Sequence, residues 1–148
     1  GLVGSEMCIR DRFVGDAVMA VFGAPSPIDH HAAAAVEAAE SMHDAQSTLN
    51  EAWVTQDQDA FGLGIGVSTG RVAAAILGSE ERLEYSLVGD TVNLTQRLQQ
   101  WADPGETVLS EPTYRSLVSP PDCDTLDPSQ VKGRESLVAA FRFPKRET

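Results

Sequence analysis

Cysteine is nearly absent: Cys8 and Cys123 are the only two in 148 residues. Two residues so placed make no disulfide framework, and neither has metal-ligand spacing. No apolar run approaches the roughly 18 residues that a membrane span needs, and no secretory signal pattern occurs. Cations are scarce as well. Eleven Lys and Arg stand against 22 Asp and Glu, for a net charge of −11. That balance argues against nucleic acid or an anionic membrane as a partner. It also means that a polyphosphate ligand needs local cations, from bound metal and a few Arg or Lys, because the global field repels it. Internal repeats and low-complexity stretches are missing too. What is present, 42% hydrophobic and 22% charged residues, is ordinary for a soluble globular chain, and the length suits one domain. The expected setting is reducing and cytoplasmic.

The most informative stretch is Glu84 to Trp101, EYSLVGDTVNLTQRLQQW. Tyr85, Leu87 and Val88 suit a half-buried strand, and Gly89-Asp90 breaks it. Asp90 or Thr91 is placed to N-cap a helix by accepting an orphan amide. On that helix Leu94, Leu98 and Trp101 fall at i, i+4, i+7 and make one apolar stripe. Asn93 and Arg97, also four apart, share a neighbouring face. An amide and a fixed cation pointing together suit an anionic, oxygen-rich ligand. A plain exposed face with an i,i+4 polar contact accounts for the spacing equally well.

Upstream, Phe13 to Phe22 reads as strand, Gly15-Asp16, strand, since Gly at the first central position suits a two-residue hairpin. Both faces of 18–22 are apolar, so coverage on both sides is expected. Asp16 would sit at the tip, where a carboxylate is a hard oxygen donor for Mg2+ or Mn2+ and is also a common plain turn residue. Asp29 is expected to cap a long helix whose Val36, Ala39, Met42, Leu49 and Trp53 recur at helical spacing. His30 and His31 point about 100° apart on a helix and do not chelate one ion. In FGLGIGV, 61–67, Phe61, Leu63, Ile65 and Val67 line one strand face, while glycines on the other admit a close neighbour. No helix opens on these glycines, which excludes a dinucleotide fingerprint.

Val72 to Leu77 reads as a strand, and Gly78 to Arg82 as a charged hairpin connection. Asp103-Pro104-Gly105 stops the central helix, and Thr107 to Ser110 is a short strand. Ser110 caps a short helix with Pro112 in its first turn. Pro120 to Pro128 reads as a loop, Lys132 lies in a turn before Gly133, and Leu137 to Phe143 alternates as a final strand. Gly1–Asp11 fits no strand or helix start and is expected to be a non-native or disordered leader. The tail, 144–148, is expected to fray.

VGDTVNLTQRL at 88–98 resembles the signature of class III adenylate/guanylate cyclases. GDAVMAVFGAP at 15–25, GLGIGVSTGRVAAAILGSEERLEYS at 62–86, PGETVLSEPTY at 104–114 and VKGR at 131–134 resemble the same family in the same order. The resemblance covers 12–143. It implies an α+β fold with a ferredoxin-like core, a mainly antiparallel sheet backed by helices, whose first strand and helices are missing here. It implies conversion of a nucleoside triphosphate to its 3′,5′-cyclic monophosphate and pyrophosphate, assisted by two divalent metals, Mg2+ or Mn2+.

By resemblance Asp16 is the second metal ligand, Asn93 orients the ribose, and Arg97 stabilises charge on the phosphoryl oxygens. Lys132 reaches the nucleotide phosphates. The family builds each site from two protomers, so a homodimer carries two sites. Base choice rests on Arg12, three residues before the Gly15-Asp16 hairpin, and on Ser86, three before Gly89. Guanylate-type members favour Glu and Cys there, so ATP is favoured over GTP. A fused sensor or regulatory domain, and a membrane anchor elsewhere in the parent protein, are compatible with this reading. The competing expectation is a non-catalytic, cyclase-like module that dimerises or senses nucleotide. A diguanylate cyclase lacks support, because no GG[DE]EF-type sequence occurs.

Overall fold

The computed structural model describes residues 9–14, 17–23, 28–71, 73–79, 82–88, 90–118, 120, 123–130 and 137–143. Eight strands and three helices follow one another among these: β1 (Ile9–Val14), β2 (Ala17–Phe22), α1 (His31–Thr55), β3 (Ile65–Val67), β4 (Ala73–Ser79), β5 (Arg82–Val88), α2 (Asp90–Trp101), β6 (Thr107–Ser110), α3 (Glu111–Ser116), β7 (Asp124–Gln130) and β8 (Leu137–Arg142). The central sheet has the order β3-β6-β8-β7, with β3 parallel to β6 and the other pairs antiparallel. Two antiparallel hairpins, β1-β2 and β4-β5, form separate two-stranded sheets. The fold is α+β, as the sequence predicts.

The core is set by alternation along β6. Val108 and Leu109 are both fully buried but point to opposite faces. Val108 packs with Ala140 of β8 against Leu94 and Leu98 of α2, edged by Trp101 and Ala102. Leu109 packs with Val67 against Val36 and Ala39 of α1, joined by Tyr114, Phe141 and Phe143. Tyr114 of α3 and Phe141 of β8 stack with ring centroids 4.1 Å apart, a geometry that adds about 0.5–1.5 kcal/mol beyond burial. The sheet is thus sandwiched, with α2 on one face and α1 and α3 on the other.

Several expectations hold at residue level. Ser110 Oγ accepts the Thr113 N–H at the start of α3, with Pro112 in the first turn. The hairpin β4-β5 closes with Ser79 opposite Arg82, a narrower tip than Gly78 to Arg82. β1 and β2 pair antiparallel from Ile9 opposite Phe22 to Val14 opposite Ala17, and Gly15 and Asp16 lie outside the described residues.

Others are corrected. Asp29 is not the cap of α1. His30 takes that place with a left-handed backbone and no side-chain cap bond, and its carbonyl accepts the Ala34 N–H. The segment expected to lie outside the fold contributes Ile9–Asp11 to β1, paired with Ala20–Phe22. Among the described residues β2 is not covered on both faces: Val18 is 42% exposed, and the strand pairs with β1 and packs against α1. Only Ile65–Val67 of the 61–67 run is strand, and Phe61 is exposed. The stretch read as a loop through Pro128 contains β7, whose register shifts between Leu126 and Ser129. A proline lacks the ladder N–H, and an edge strand at a bulge is where one is tolerated.

Candidate active site

The site is built on α2, and α2 is placed by glycine. A Cβ at Gly66 would lie 2.7 Å from the Thr95 carbonyl oxygen and 2.9 Å from the Leu98 carbonyl carbon. Only hydrogen at that position lets the helix backbone rest on β3. Gly64 approaches the Ala102 carbonyl in the same way, with a Cβ contact of 2.9 Å. The expectation that alternate glycines admit a close neighbour is therefore met, and the neighbour is the α2 backbone together with the turn that follows it.

Hydroxyls complete the seating. Ser68 Oγ donates to the Thr91 carbonyl at 3.1 Å and also meets Thr95 Oγ1, which itself donates to the Thr91 carbonyl at 2.7 Å. Thr69 Oγ1 and Thr113 Oγ1 are 2.7 Å apart, and Thr113 Oγ1 bonds Ser110 Oγ at 3.0 Å. The end of β3 is thereby tied to the first turn of α2 on one side and to α3 on the other. Each such bond adds about 1 kcal/mol net. Their larger effect is to hold α2 at one rotation about its axis.

That rotation buries Leu94 and Leu98 and leaves Asn93 exposed, with Arg97 half-buried one turn further. Arg97 Nη1 donates to Gln100 Oε1 at 3.1 Å. Among the described side chains of the helix, the exposed ones are Asn93, Gln96, Gln99 and Gln100, all neutral amides, and no acid occurs between Asp90, which opens the helix, and Asp103. In a chain of net charge −11, the described side-chain partner of Arg97 on this helix is a neutral amide, that of Gln100. A planar fork with spare N–H groups beside an amide suits phosphate and hydroxyl oxygens.

The other sequence-derived positions are distributed around this helix. Ser86 lies in β5, opposite Ala75, on the strand that leads into α2. Arg12 lies in β1, opposite Met19, in the other hairpin. Asp16 and Lys132 lie outside the described residues. α2 thus brings Asn93 and Arg97 together, while Arg12 belongs to a separate sheet.

One internal group escaped the sequence reading. His43 is buried, and its Nε2 lies 3.1 Å from the Glu106 carbonyl oxygen and 2.9 Å from Thr107 Oγ1. It clamps the middle of α1 to the start of β6. The signal was available, since His43 falls four residues after Ala39 and seven after Val36, on the same stripe. Nearby, the buried Glu106 carboxylate accepts the Asp103 N–H at 2.7 Å and lies 3.3 Å from Arg142 Nε, fixing the turn between α2 and β6.

The glycine-seated helix that carries Asn93 and Arg97 is the candidate site, and the family of the chain follows from comparison. The family model described as the adenylate and guanylate cyclase catalytic domain matches residues 1–141. The chain belongs to that family. It is 35% identical over 107 residues to an uncharacterized protein of Mycobacterium tuberculosis, covering 71% of this chain and 18% of that one. It is 33% identical over 100 residues to Adenylate cyclase 1 of Rhizobium meliloti, covering 67% of this chain and 15% of that one. The crystal structure of the guanylyl cyclase Cya2 superposes with a TM-score of 0.82 at 29% identity, over 89% of this chain and 67% of that one. The chain spans less than a fifth of the length of these two curated relatives. The fold is that of the class III cyclase domain. Among the described residues, no helix is long and apolar enough to cross a membrane.

Proposed function

We propose that this domain converts ATP to 3′,5′-cyclic AMP and pyrophosphate at a site shared by two copies of the chain. The observation that carries the reading is the face of α2. Asn93 and Arg97 stand one turn apart on a helix that Gly66 and the Ser68–Thr95 contact hold to the sheet, with no acid between Thr91 and Ala102. In the reaction the ribose 3′-oxygen forms a bond to the α-phosphorus, the bond to the bridging oxygen breaks, and pyrophosphate leaves. Arg97 donates to the phosphoryl oxygens on which charge builds. Asn93 holds the ribose through an amide that donates and accepts.

Asp16 follows Gly15 between the paired ends Val14 and Ala17, and its carboxylate is the hard oxygen donor that Mg2+ or Mn2+ takes. With a second carboxylate, it would hold the two divalent ions that supply activation of the hydroxyl and neutralisation of the triphosphate. Lys132 adds a cation for the phosphates. Arg12 and Ser86 choose the base, and Ser86 meets an adenine edge through its hydroxyl. Asp16 serves one site and Asn93 with Arg97 the other, so a homodimer is required.

The test is cyclic product formation from ATP and from GTP with either metal, using the chain extended at its N terminus. Cyclic AMP formation that exceeds cyclic GMP formation supports the reading. A preference for GTP corrects the roles of Arg12 and Ser86, and no cyclisation of either nucleotide overturns the enzymatic reading in favour of a nucleotide-sensing or dimerising module. Mixing Asp16→Ala and Arg97→Ala chains should restore one working site per heterodimer. Confirmed heterodimers without that rescue would sink the shared site.

A further inference from the structure

The contacts that hold α2 lie on the side of the helix away from Asn93 and Arg97. Successive residues of a helix turn by about 100°. Thr95, two residues from each, therefore points about 160° round the helix from both. That side rests on β3, where a Cβ at Gly66 would come 2.7 Å from the Thr95 carbonyl oxygen. Any effect of Thr95 on a ligand at Asn93 and Arg97 must pass through the helix itself.

Thr95 is bonded on that side as well as packed. Its Oγ1 donates to the Thr91 carbonyl at 2.7 Å, Ser68 Oγ reaches the same carbonyl at 3.1 Å, and the two hydroxyls meet each other. Each hydroxyl carries one proton, so two bonds serve three contacts, and removing either hydroxyl dissolves the junction. Helix propensity favours Ala over Thr at such a position, and a Thr that bonds back to the i−4 carbonyl bends a helix more than it strengthens one. What Thr95 adds is the junction with Ser68.

Ser68 is in turn fixed from the opposite face of the sheet. The ladder between β3 and β6 ends at Val67 opposite Leu109, so Ser68 and Thr69 continue past it. Thr69 Oγ1 lies 2.7 Å from Thr113 Oγ1, and Thr113, fully buried in α3, also meets Ser110 Oγ at 3.0 Å. Gly70 presses on the first turn of α2, where a Cβ would come 2.5 Å from Thr91 Oγ1. Where strand pairing stops, hydroxyls on both faces and a close glycine hold the segment, and the junction under α2 has a fixed foot.

We propose that Thr95 and Ser68 are positioning residues for turnover: through the Thr91 carbonyl they set the rotation of α2, and with it where the Arg97 guanidinium and the Asn93 amide meet the nucleotide. This role presupposes the cyclase reading and adds to it two residues outside the face which that reading uses. At the roughly 5 Å radius of a helix with its side chains, a rotation of about 10° moves a terminal group by about 0.9 Å. A misplacement of about 1 Å costs up to about 100-fold in rate.

The test measures steady-state kinetics and melting of Thr95→Val, Ser68→Ala and Thr95→Ser in the same chain as the cyclisation assay. Thr95→Val keeps the shape and removes the hydroxyl. Its kcat should fall about tenfold while KM for the nucleotide stays within about twofold, the pattern of a contact made only in the transition state. Ser68→Ala should do the same. The double variant should lose no more than about the larger single loss, because both changes remove one junction, and Thr95→Ser should recover kcat to within about threefold of the parent. A Thr95→Val protein that melts lower but turns over at the parent rate has lost only a structural contact and overturns the proposal, as does a Thr95→Ser protein that recovers nothing. A parent chain that cyclises no nucleotide rejects the cyclase reading instead, and the placement of α2 is then read directly by NMR. The Arg97 Nε–H resonance, on the far side of the helix, should move in Thr95→Val and return in Thr95→Ser. An Arg97 resonance that stays in place in Thr95→Val overturns the positioning role whether or not the chain is a cyclase.

Discussion

Two helices lie on opposite faces of one sheet and are held in opposite ways. α2 is seated by subtraction: hydrogen at Gly66 and Gly64 admits its backbone and the turn after it, and hydroxyls from Ser68 and Thr95 lock the contact. α1 is held by addition, through Val36, Ala39 and a buried His43, and only over the first half of its length. The helix that presents Arg97 cannot rotate without breaking several short contacts. The helix that carries Phe61 beside its last turns has no buried residue after His43 among those described. Immobility suits the role proposed for Asn93 and Arg97, because groups that meet a reacting phosphorus must be placed within a fraction of an ångström.

The largest effect that would sharpen this contrast is on turnover. Arg97→Ala should lower kcat about 100- to 1,000-fold, the usual cost of removing one donor to a charged transition state, with the melting temperature within about a degree of the parent because Arg97 bonds only Gln100 among the described contacts. Loss of folding in that variant would show that the side chain is structural. Gly66→Val should cost roughly 2–3 kcal/mol by overpacking, read as a lower urea midpoint, and should lower kcat as well because α2 must shift away from β3. A stable, fully active Gly66→Val protein would refute the seating argument. His43→Ala should cost about 1–3 kcal/mol by leaving the Thr107 hydroxyl and Glu106 carbonyl with one partner fewer, while kcat for the folded fraction stays within about twofold. Asp57→Gly is the smallest and has the opposite sign: it should stabilise by about 0.5–1 kcal/mol, since Asp57 has φ 60° and glycine adopts that left-handed position without strain. Destabilisation there would mean that the carboxylate has an internal role.

The local chemistry of the chain was legible wherever a short pattern sufficed. The Leu94–Leu98–Trp101 stripe, the Ser110 cap, the two hairpins and the closeness implied by alternate glycines all follow from spacing. The misreadings share one cause. Residue type points to Asp29 as the cap, yet His30, with a left-handed backbone, takes that place. Pro128 argued against a strand, and the strand tolerates it because β7 is an edge with a bulge. Phe61 sits on the apolar side of a run that becomes strand only four residues later, at Ile65. Each was decided by which element lay alongside.

The sequence by itself determined the family, through five motifs in order, and with it the α+β class and the shared face of Asn93 and Arg97, because helical periodicity and turn chemistry are local properties. Only the tertiary structure decided that α2 rests backbone-on-backbone against β3 and that His43 closes the core. Those facts depend on distances between segments tens of residues apart, which no spacing within one segment encodes.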